Sequence, residues 1–150
     1  MKLTLLFLST LLPLSLTAKD WKVSSPNKQI TVTVTAENSL SWQINHGETA
    51  VITPSEIALN LGKDGVLGSK PKVSKAITNT FSETIPTPFY KKAAVESCYN
   101  QLLLKCSGGY DVEFRVFDDG AAYRFITCKK GEIEVKDEVA EFNFPADHKA

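Results

Sequence analysis

The segment 110–127, which reads YDVEFRVFDDGAAYRFIT, constrains the fold of this 150-residue chain more than any other stretch. Two runs of alternating apolar and polar residues flank Asp118, Asp119 and Gly120, and this combination strongly predicts a β-hairpin. Alternation with period two places one face of each strand in a core and the other toward solvent. The segment therefore predicts an antiparallel sheet with at least one buried face.

A type I′ turn centred on Asp119 and Gly120 would set the register of this hairpin. Asp118 would then pair with Ala121, Val116 with Tyr123, Phe114 with Phe125 and Val112 with Thr127, so that apolar residues meet at nearly every step. The same register places Arg115 directly opposite Arg124 on the other face. Because facing like charges are unfavourable, we expect Glu113 or an acid from elsewhere to bind both arginines.

Residues 94–106 predict a longer strand that precedes the hairpin and joins it through Ser107, Gly108 and Gly109. A two-residue loop would set Leu104 against Glu113, which would place an acid on the buried face. A three-residue loop instead matches the apolar residues, and the predicted pairs are Cys106 with Tyr110, Leu104 with Val112, Leu102 with Phe114 and Asn100 with Val116.

Similar patterns occupy most of the remaining chain. They predict a hairpin from residues 29–36 and 40–44, an edge strand at 73–85, and one or two strands with a bulge at 132–144. The short apolar stretch 57–61 is compatible with a strand or one helical turn, and we favour the strand. Residues 62–71 hold three glycines and a proline, which predicts a loop. No segment has a helical period that is long enough to predict a helix. The predicted fold class is an all-β, antiparallel β-sandwich built as a meander with short connections.

Residues 1–18 have the features of a secretory signal peptide: one charge at Lys2, an apolar run broken by Pro13, and a small-residue end at Ala18. The run is short and interrupted, which disfavours a retained membrane-spanning helix. We expect export to the periplasm or the medium, with residues 19–150 as one domain and no membrane contact after cleavage. The charges balance at 17 basic and 17 acidic residues, which argues against a nucleic-acid partner.

Three cysteines in an oxidising compartment leave at least one thiol without an intramolecular partner. Cys98 and Cys106 lie eight residues apart on one predicted strand, about 26 Å in extended chain, so they cannot bridge. Cys128 falls on the opposite face of a strand two places away. We therefore expect three unpaired thiols that pack as small hydrophobes, with Cys98 and Cys106 on the buried face.

Candidate catalytic and metal-binding residues are few. Asp118 and Asp119 are explained by the turn itself, and the acids Glu132, Glu134, Asp137, Glu138 and Glu141 interleave with apolar residues as on a solvated strand face. A metal site among these acids is the alternative, although their spacing matches no calcium loop. His46 and His148 have no second histidine at ligand spacing. We predict no catalytic, cofactor-binding or metal-binding residue in this chain.

The aromatic side chains allow a second hypothesis, because aromatic faces can stack on sugar rings. Its candidates are Trp21, Trp42, Tyr90, Tyr99 and Tyr123. The alternation places Trp42 and Tyr123 toward the core, which favours packing for these two. Trp21, just before the first predicted alternating strand, is compatible with either role.

Several motifs together resemble the amino-terminal domain of glycoside hydrolase family 97. They are WKVSSPN at 21–27, PS at 54–55 with the apolar residues 57–59, YNQL at 99–102, FRVFDDGAAYRF at 114–125, and the segment 142–147. The FRVFDDGAAYRF stretch is the most specific of them. Their order and spacing cover nearly all of the chain after residue 18.

The resemblance implies an exported α-glucosidase or α-galactosidase that depends on calcium. In that family a β-supersandwich precedes a catalytic (β/α)₈ barrel, and the barrel supplies the carboxylates that act as acid and as base or nucleophile. The supersandwich continues beyond the segment that matches 142–147, and its calcium-binding glutamate lies in that later part. The resemblance therefore carries no catalytic or metal residue onto any position of this sequence.

From the residues and the resemblance together we expect a partial, non-catalytic β-sandwich segment of an α-glycosidase. It would pack against the catalytic barrel and wall the active site, with an α-linked oligosaccharide as the enzyme's ligand. The alternative is a free-standing exported β-sandwich that binds carbohydrate through an aromatic patch. A weaker third hypothesis is a protein-interaction module.

Overall fold

The structure is a computed structural model that describes residues 19–88, 91 and 93–147. The predicted signal peptide, Tyr90 and His148 lie outside these residues. The described part forms strands and one short 3₁₀ turn without α-helix, which confirms the all-β prediction. The strands are β1 (Lys19–Ser24), β2 (Ile30–Ala36), β3 (Leu40–His46), β4 (Thr49–Asn60), β5 (Val66–Leu67), β6 (Val73–Pro86), β7 (Ala94–Cys106), β8 (Tyr110–Val116), β9 (Ala121–Thr127) and β10 (Asp137–Ala140). No helix in this part is long and apolar enough to cross a membrane.

The strands form two antiparallel sheets that face each other. The first sheet has the order β1-β2-β3-β4-β10, with β5 beside β4, and the second has the order β6-β7-β8-β9. Strand β1 contacts β7, and β2 contacts β8 across the interior. The chain thus builds most of one sheet, builds the second as a meander, and returns to the first with β10.

The core lies between the two sheets and comes from the alternating residues of their facing sides. Val32, Val34, Val112 and Phe114 are fully buried there, and Trp42 is nearly so. Burial of each such side chain stabilises the fold by about 1.5–3 kcal/mol. The alternation in the sequence therefore supplies the apolar faces that hold the two sheets together.

The loop between β7 and β8 has the predicted length. Cys106 pairs with Tyr110, Leu104 with Val112, Leu102 with Phe114 and Asn100 with Val116. The three-residue connection is confirmed in all four predicted pairs. Strand β6 also lies at a sheet edge, as predicted, and pairs with β7 along nearly its whole length.

The predicted register of the central hairpin is wrong. In the structure Val116 pairs with Ala121, Phe114 with Tyr123, Val112 with Phe125 and Glu113 with Arg124. The connection is 117–120, closed by a hydrogen bond from the Phe117 N–H to the Gly120 carbonyl (2.8 Å). Gly120 is not among the glycines with positive φ, so the type I′ turn is absent. Arg115 lies opposite Ala122, and the predicted arginine pair does not form.

Two other predicted segments differ in detail. The loop at 62–71 contains the 3₁₀ turn Gly62–Asp64 and the short strand β5, which pairs with β4. Only residues 137–140 of the predicted strand region 132–144 form a strand, and it pairs with β4 of the first sheet instead of continuing the meander beside β9. Asn143 continues this contact, because its carbonyl accepts a hydrogen bond from the Thr53 N–H (2.8 Å).

Candidate functional site

The most concentrated group of charges lies on the outer face of the second sheet, around Glu113. This carboxylate is 1% exposed and accepts hydrogen bonds from Arg115 Nε (3.0 Å), from Arg124 Nε and from Gln101 Nε2. Arg124 is its cross-strand partner on β9, and Arg115 is two residues along β8. The expectation that Glu113 binds both arginines is confirmed, although the register behind it was wrong.

Gln101 is the member of this cluster that sequence reasoning missed. The predicted pairing of β7 with β8 contained a signal for it, because that register sets Gln101 beside Arg115 on the outer face. A buried carboxylate needs several donors, and a neighbouring amide is a suitable one.

The pKa of Glu113 is lower than that of an ordinary glutamate. Burial by itself raises the pKa, but hydrogen bonds from Arg115, Gln101 and Arg124 outweigh burial and favour the ionised form. A general acid for glycoside cleavage needs a raised pKa so that it holds a proton near neutral pH. Glu113 therefore has the electrostatics of a structural anion.

Aromatic rings extend this cluster toward β6. The Arg115 guanidinium lies 4.9 Å from the centre of the Tyr99 ring, and that ring stacks on Phe81 at 5.1 Å. Phe117 contacts the same tyrosine at 5.0 Å. Tyr99 is only 4% exposed, so it packs and does not offer a free stacking face to a sugar.

One acid of the pair in the central hairpin, Asp118, has a structural role. Asp118 Oδ1 accepts a hydrogen bond from the Asn27 N–H (2.9 Å), which ties the connection 117–120 to the loop between β1 and β2. Both aspartates lie in that connection, as the turn interpretation requires. The structure thus joins the two sheets at this end through a carboxylate and a backbone amide.

The later acids are spread along an exposed segment. Glu134 pairs with Lys136 (2.6 Å), and Glu141 accepts a hydrogen bond from the Glu56 N–H (2.9 Å). Among the residues that the structure describes, no three His, Cys, Asp or Glu side chains lie close enough to hold a metal ion. The described residues therefore do not fit the calcium that the resemblance implies for full-length enzymes.

The cysteines are all free thiols, as expected, but their burial differs from the prediction. Cys98 is exposed, because β7 extends beyond β8 at that end and β8 does not cover its side chain. Cys128 is also exposed, and Cys106 is half-buried. Burial raises the pKa of the Cys106 thiol, with a hydrogen bond from Tyr110 opposing the effect, so Cys106 is poorly suited to act as a nucleophile.

His46 is exposed at the end of β3.

A cleft of about 600 Å³ opens between the sheets at the free edge of β9. Trp42 forms its floor, and its ring lies 5.1 Å from that of Tyr123 and 5.8 Å from that of Phe142. Glu138 lines the mouth and lies 3.3 Å from the Tyr123 hydroxyl, within hydrogen-bond distance. Burial, together with this carboxylate, raises the pKa of Tyr123 to about 12, so the hydroxyl keeps its proton and can donate.

Of the five aromatic residues in the sugar-stacking hypothesis, Tyr90 lies outside the described residues and the other four pack against neighbouring side chains. Trp42 is 3% exposed, and Trp21 is half-buried with the Lys19 ammonium 5.4 Å from its ring centre. Tyr123 stands half-buried against Trp42, as its core-facing position predicted. The aromatic residues are thus core and cleft residues.

Fold and site together define a two-sheet, all-β domain whose best-formed polar cluster is structural and whose apolar cleft is open at one edge. A family model described as "Glycosyl-hydrolase 97 N-terminal" matches residues 23–150. The chain belongs to this family, as the sequence motifs indicated. A curated relative, the "Retaining alpha-galactosidase" of Bacteroides thetaiotaomicron, is 36% identical over 147 residues, which are 97% of this chain and 22% of that protein.

Solved structures show the same fold. A glycoside hydrolase family 97 enzyme from Pseudoalteromonas sp. strain K8, solved with acarbose, superposes with a TM-score of 0.73 at 21% identity, over 83% of this chain and 20% of that one. A β-arabinopyranosidase superposes with a TM-score of 0.72 at 20% identity, over 85% of this chain and 22% of that one. The chain therefore spans about a fifth of the length of the relatives it matches.

Proposed function

We propose that this chain serves as a non-catalytic amino-terminal β-sandwich segment of an α-glycosidase of the galactosidase or glucosidase type. In this role it packs against a catalytic (β/α)₈ barrel and forms a wall of its active site. The observation that carries the proposal is the match of 97% of the chain to only 22% of a retaining α-galactosidase.

The chemistry of the described residues supports a structural role. Glycoside hydrolysis needs one carboxylic acid that holds its proton and a second carboxylate across the sugar ring. Glu113, the most buried acid among the described residues, is held ionised by its donors, and the cleft of about 200 Å³ beside it is lined by no second acid. Two of those donors are guanidiniums, which stabilise the anion further.

The enzyme's ligand in this proposal is an α-linked oligosaccharide, and calcium is bound by parts of the enzyme outside the described residues. We also propose export, from the signal-peptide features of residues 1–18. Amino-terminal sequencing of the protein recovered outside the cytoplasm should start at Lys19. Recovery only from the cytoplasm with Met1 intact would contradict this part of the proposal.

Fragment complementation tests the proposal directly. The four-fifths of the Bacteroides thetaiotaomicron α-galactosidase that this chain does not match would be produced alone, and assayed with p-nitrophenyl α-galactoside. The purified chain, when added, should form a complex that is seen on gel filtration and should raise the rate of hydrolysis. The relative's own matching segment should do the same and is the positive control. The chain alone should show no hydrolysis.

Two outcomes would overturn the proposal. Hydrolysis by the isolated chain, abolished by EDTA, would show that the chain is catalytic. Failure of the chain to bind, while the relative's own segment binds and restores activity, would show that it is not a packing segment of such an enzyme.

A further inference from the structure

The two sheets do not end at the same strand. Because β1 packs on β7 and β2 on β8, the strand orders bring β3 over β9 and leave β4 and β10 without a strand opposite them among the described residues. The contact of Trp42 on β3 with Tyr123 on β9 agrees with this alignment. The cleft beside β9 therefore lies over the part of the first sheet that β4 and β10 form, and Leu59, Ala140 and Phe142 line it.

The backbone of β9 is unpaired on the cleft side in the described part of the chain. The hydrogen bonds from Phe117 to Gly120 and from Cys128 to Gly109 set the alternation of the ladder between β8 and β9. By that alternation the N–H and C=O groups of Tyr123 and Phe125 point away from β8, toward the cleft. Those of Arg124 point into the ladder.

A buried donor at the floor of the same cleft also lacks a partner. The indole N–H of Trp42 is enclosed but makes no hydrogen bond with any residue that the structure describes. Buried donors in folded proteins are nearly always paired, so this N–H indicates an acceptor that the described chain does not supply.

The other outer strand of the second sheet is protected in a way that β9 is not. Exposed strand edges commonly carry charges or proline, which discourage pairing with another chain. Strand β6 contains Lys75, Glu83 and Pro86 among many hydroxyl side chains, whereas β9 has a single charge, Arg124. Phe142 is 50% exposed above the β9 edge. The unprotected edge is thus the one beside the apolar cleft.

We propose that a β-strand from the rest of the full-length enzyme pairs with the free edge of β9 and fills this cleft. The backbone of this strand forms hydrogen bonds with the N–H and C=O groups of Tyr123 and Phe125. Its inward side chains are apolar and pack on Trp42 and Phe142, and one of its acceptors receives a hydrogen bond from the Trp42 indole N–H. The inference rests on the proposed function, because it takes the partner to be the remaining four-fifths of such an enzyme. To the proposed function it adds the contact surface, which is the β9 edge with its cleft, and the mode of contact, which is strand pairing.

Hydrogen exchange measured by NMR on the complementation complex tests this pairing residue by residue. In the chain alone the amides of Tyr123 and Phe125 should exchange quickly and that of Arg124 slowly. In the complex the first two should slow by about 100-fold or more, as for amides in a formed ladder. Arg124 should change little, which makes it an internal control.

A pair of matched variants tests the apolar part of the contact. Phe142→Glu should weaken the complex by at least about tenfold, because a charge would be buried against Trp42. Ile85→Glu, at a similarly exposed position on the opposite edge, should leave the affinity unchanged. Urea unfolding of both free variants checks that each is folded before binding is measured.

The outcomes separate the two proposals. Absence of a complex with this chain, while the relative's own segment forms one, overturns the proposed function and this inference with it. A complex in which Tyr123 and Phe125 still exchange quickly overturns only the strand pairing. Protection of these amides that rises with the concentration of the chain alone would show that a second copy fills the cleft, and this too overturns the inference.

Discussion

Replacement of Glu113 by glutamine should destabilise the domain by more than a surface charge change would. The carboxylate is buried, and a glutamine side chain would keep its shape but lose the charge that holds two guanidiniums. Loss of one partner of a buried ion pair costs about 3–5 kcal/mol. The Arg115 and Arg124 side chains are 34% and 59% exposed, so water can solvate them and the cost falls to about 1–3 kcal/mol.

The pH dependence of the stability of this variant gives an independent test. The folded-state pKa of Glu113 lies below its unfolded value, so its stabilisation is present above the unfolded pKa of about 4.3. It is lost as the pH falls through the folded-state pKa. Glu113→Gln cannot titrate at this position, so the difference in stability between the two proteins should be largest near neutral pH and shrink in acid.

Urea unfolding followed by tryptophan fluorescence, at pH values from about 3 to about 7, measures both effects, since Trp42 becomes exposed on unfolding. Glu134→Gln is the matched control, because Glu134 and Lys136 form an exposed pair whose loss should cost about 0–0.5 kcal/mol. Equal stability of Glu113→Gln and wild type near neutral pH, or a difference that does not change with pH, would refute the electrostatic account of this cluster.

Three further predictions concern the core and the sheet connections. Phe114→Ala should cost about 3–5 kcal/mol in urea unfolding, because it removes a fully buried ring between the sheets. Gly68→Ala should be strongly destabilising, since φ is +89° and a Cβ would lie 2.6 Å from the Ile57 carbonyl oxygen. Gly65→Ala, with φ +90° and open space around the Cβ, should lose only the stability that the backbone strain costs. Burial raises the pKa of Tyr110 to about 12, so stability should fall as the pH rises from about 10 toward 12, and Tyr110→Phe should remove part of that fall in alkaline urea titrations. Equal costs at Gly68 and Gly65, a mild Phe114→Ala, or an unchanged alkaline profile would contradict these expectations.

The alternation of side chains was enough to predict most strands and one complete register. In the connection between β7 and β8 the competing loop would have moved Glu113 against Leu104, so burial alone chose between the two. The motif at 114–125 was likewise enough to indicate the family that the comparison shows. Both inferences used information that is local in the chain.

The central hairpin shows where such local information ends. The predicted and observed registers differ by two residues in total, and this shift keeps every apolar residue on the same face. Period-two patterning therefore cannot separate them. The observed register pairs Glu113 with Arg124 within the second sheet and brings Tyr123 against Trp42 of the first sheet. The contact of Tyr123 with Trp42 exists only once the sheets have packed.

The burial of the cysteines and the position of the last strand were decided in the same way. Cys98 alternates like a core residue, but β7 extends beyond β8 there and leaves it exposed. Residues 137–140 alternate like a partner for β9, yet they pair with β4 and so leave the cleft open. The sequence by itself determined most of the strands, most of their inward faces and the family, because these depend on neighbours along the chain. The tertiary structure alone decided which edges meet and which stay free, because that choice depends on contacts between residues far apart in sequence.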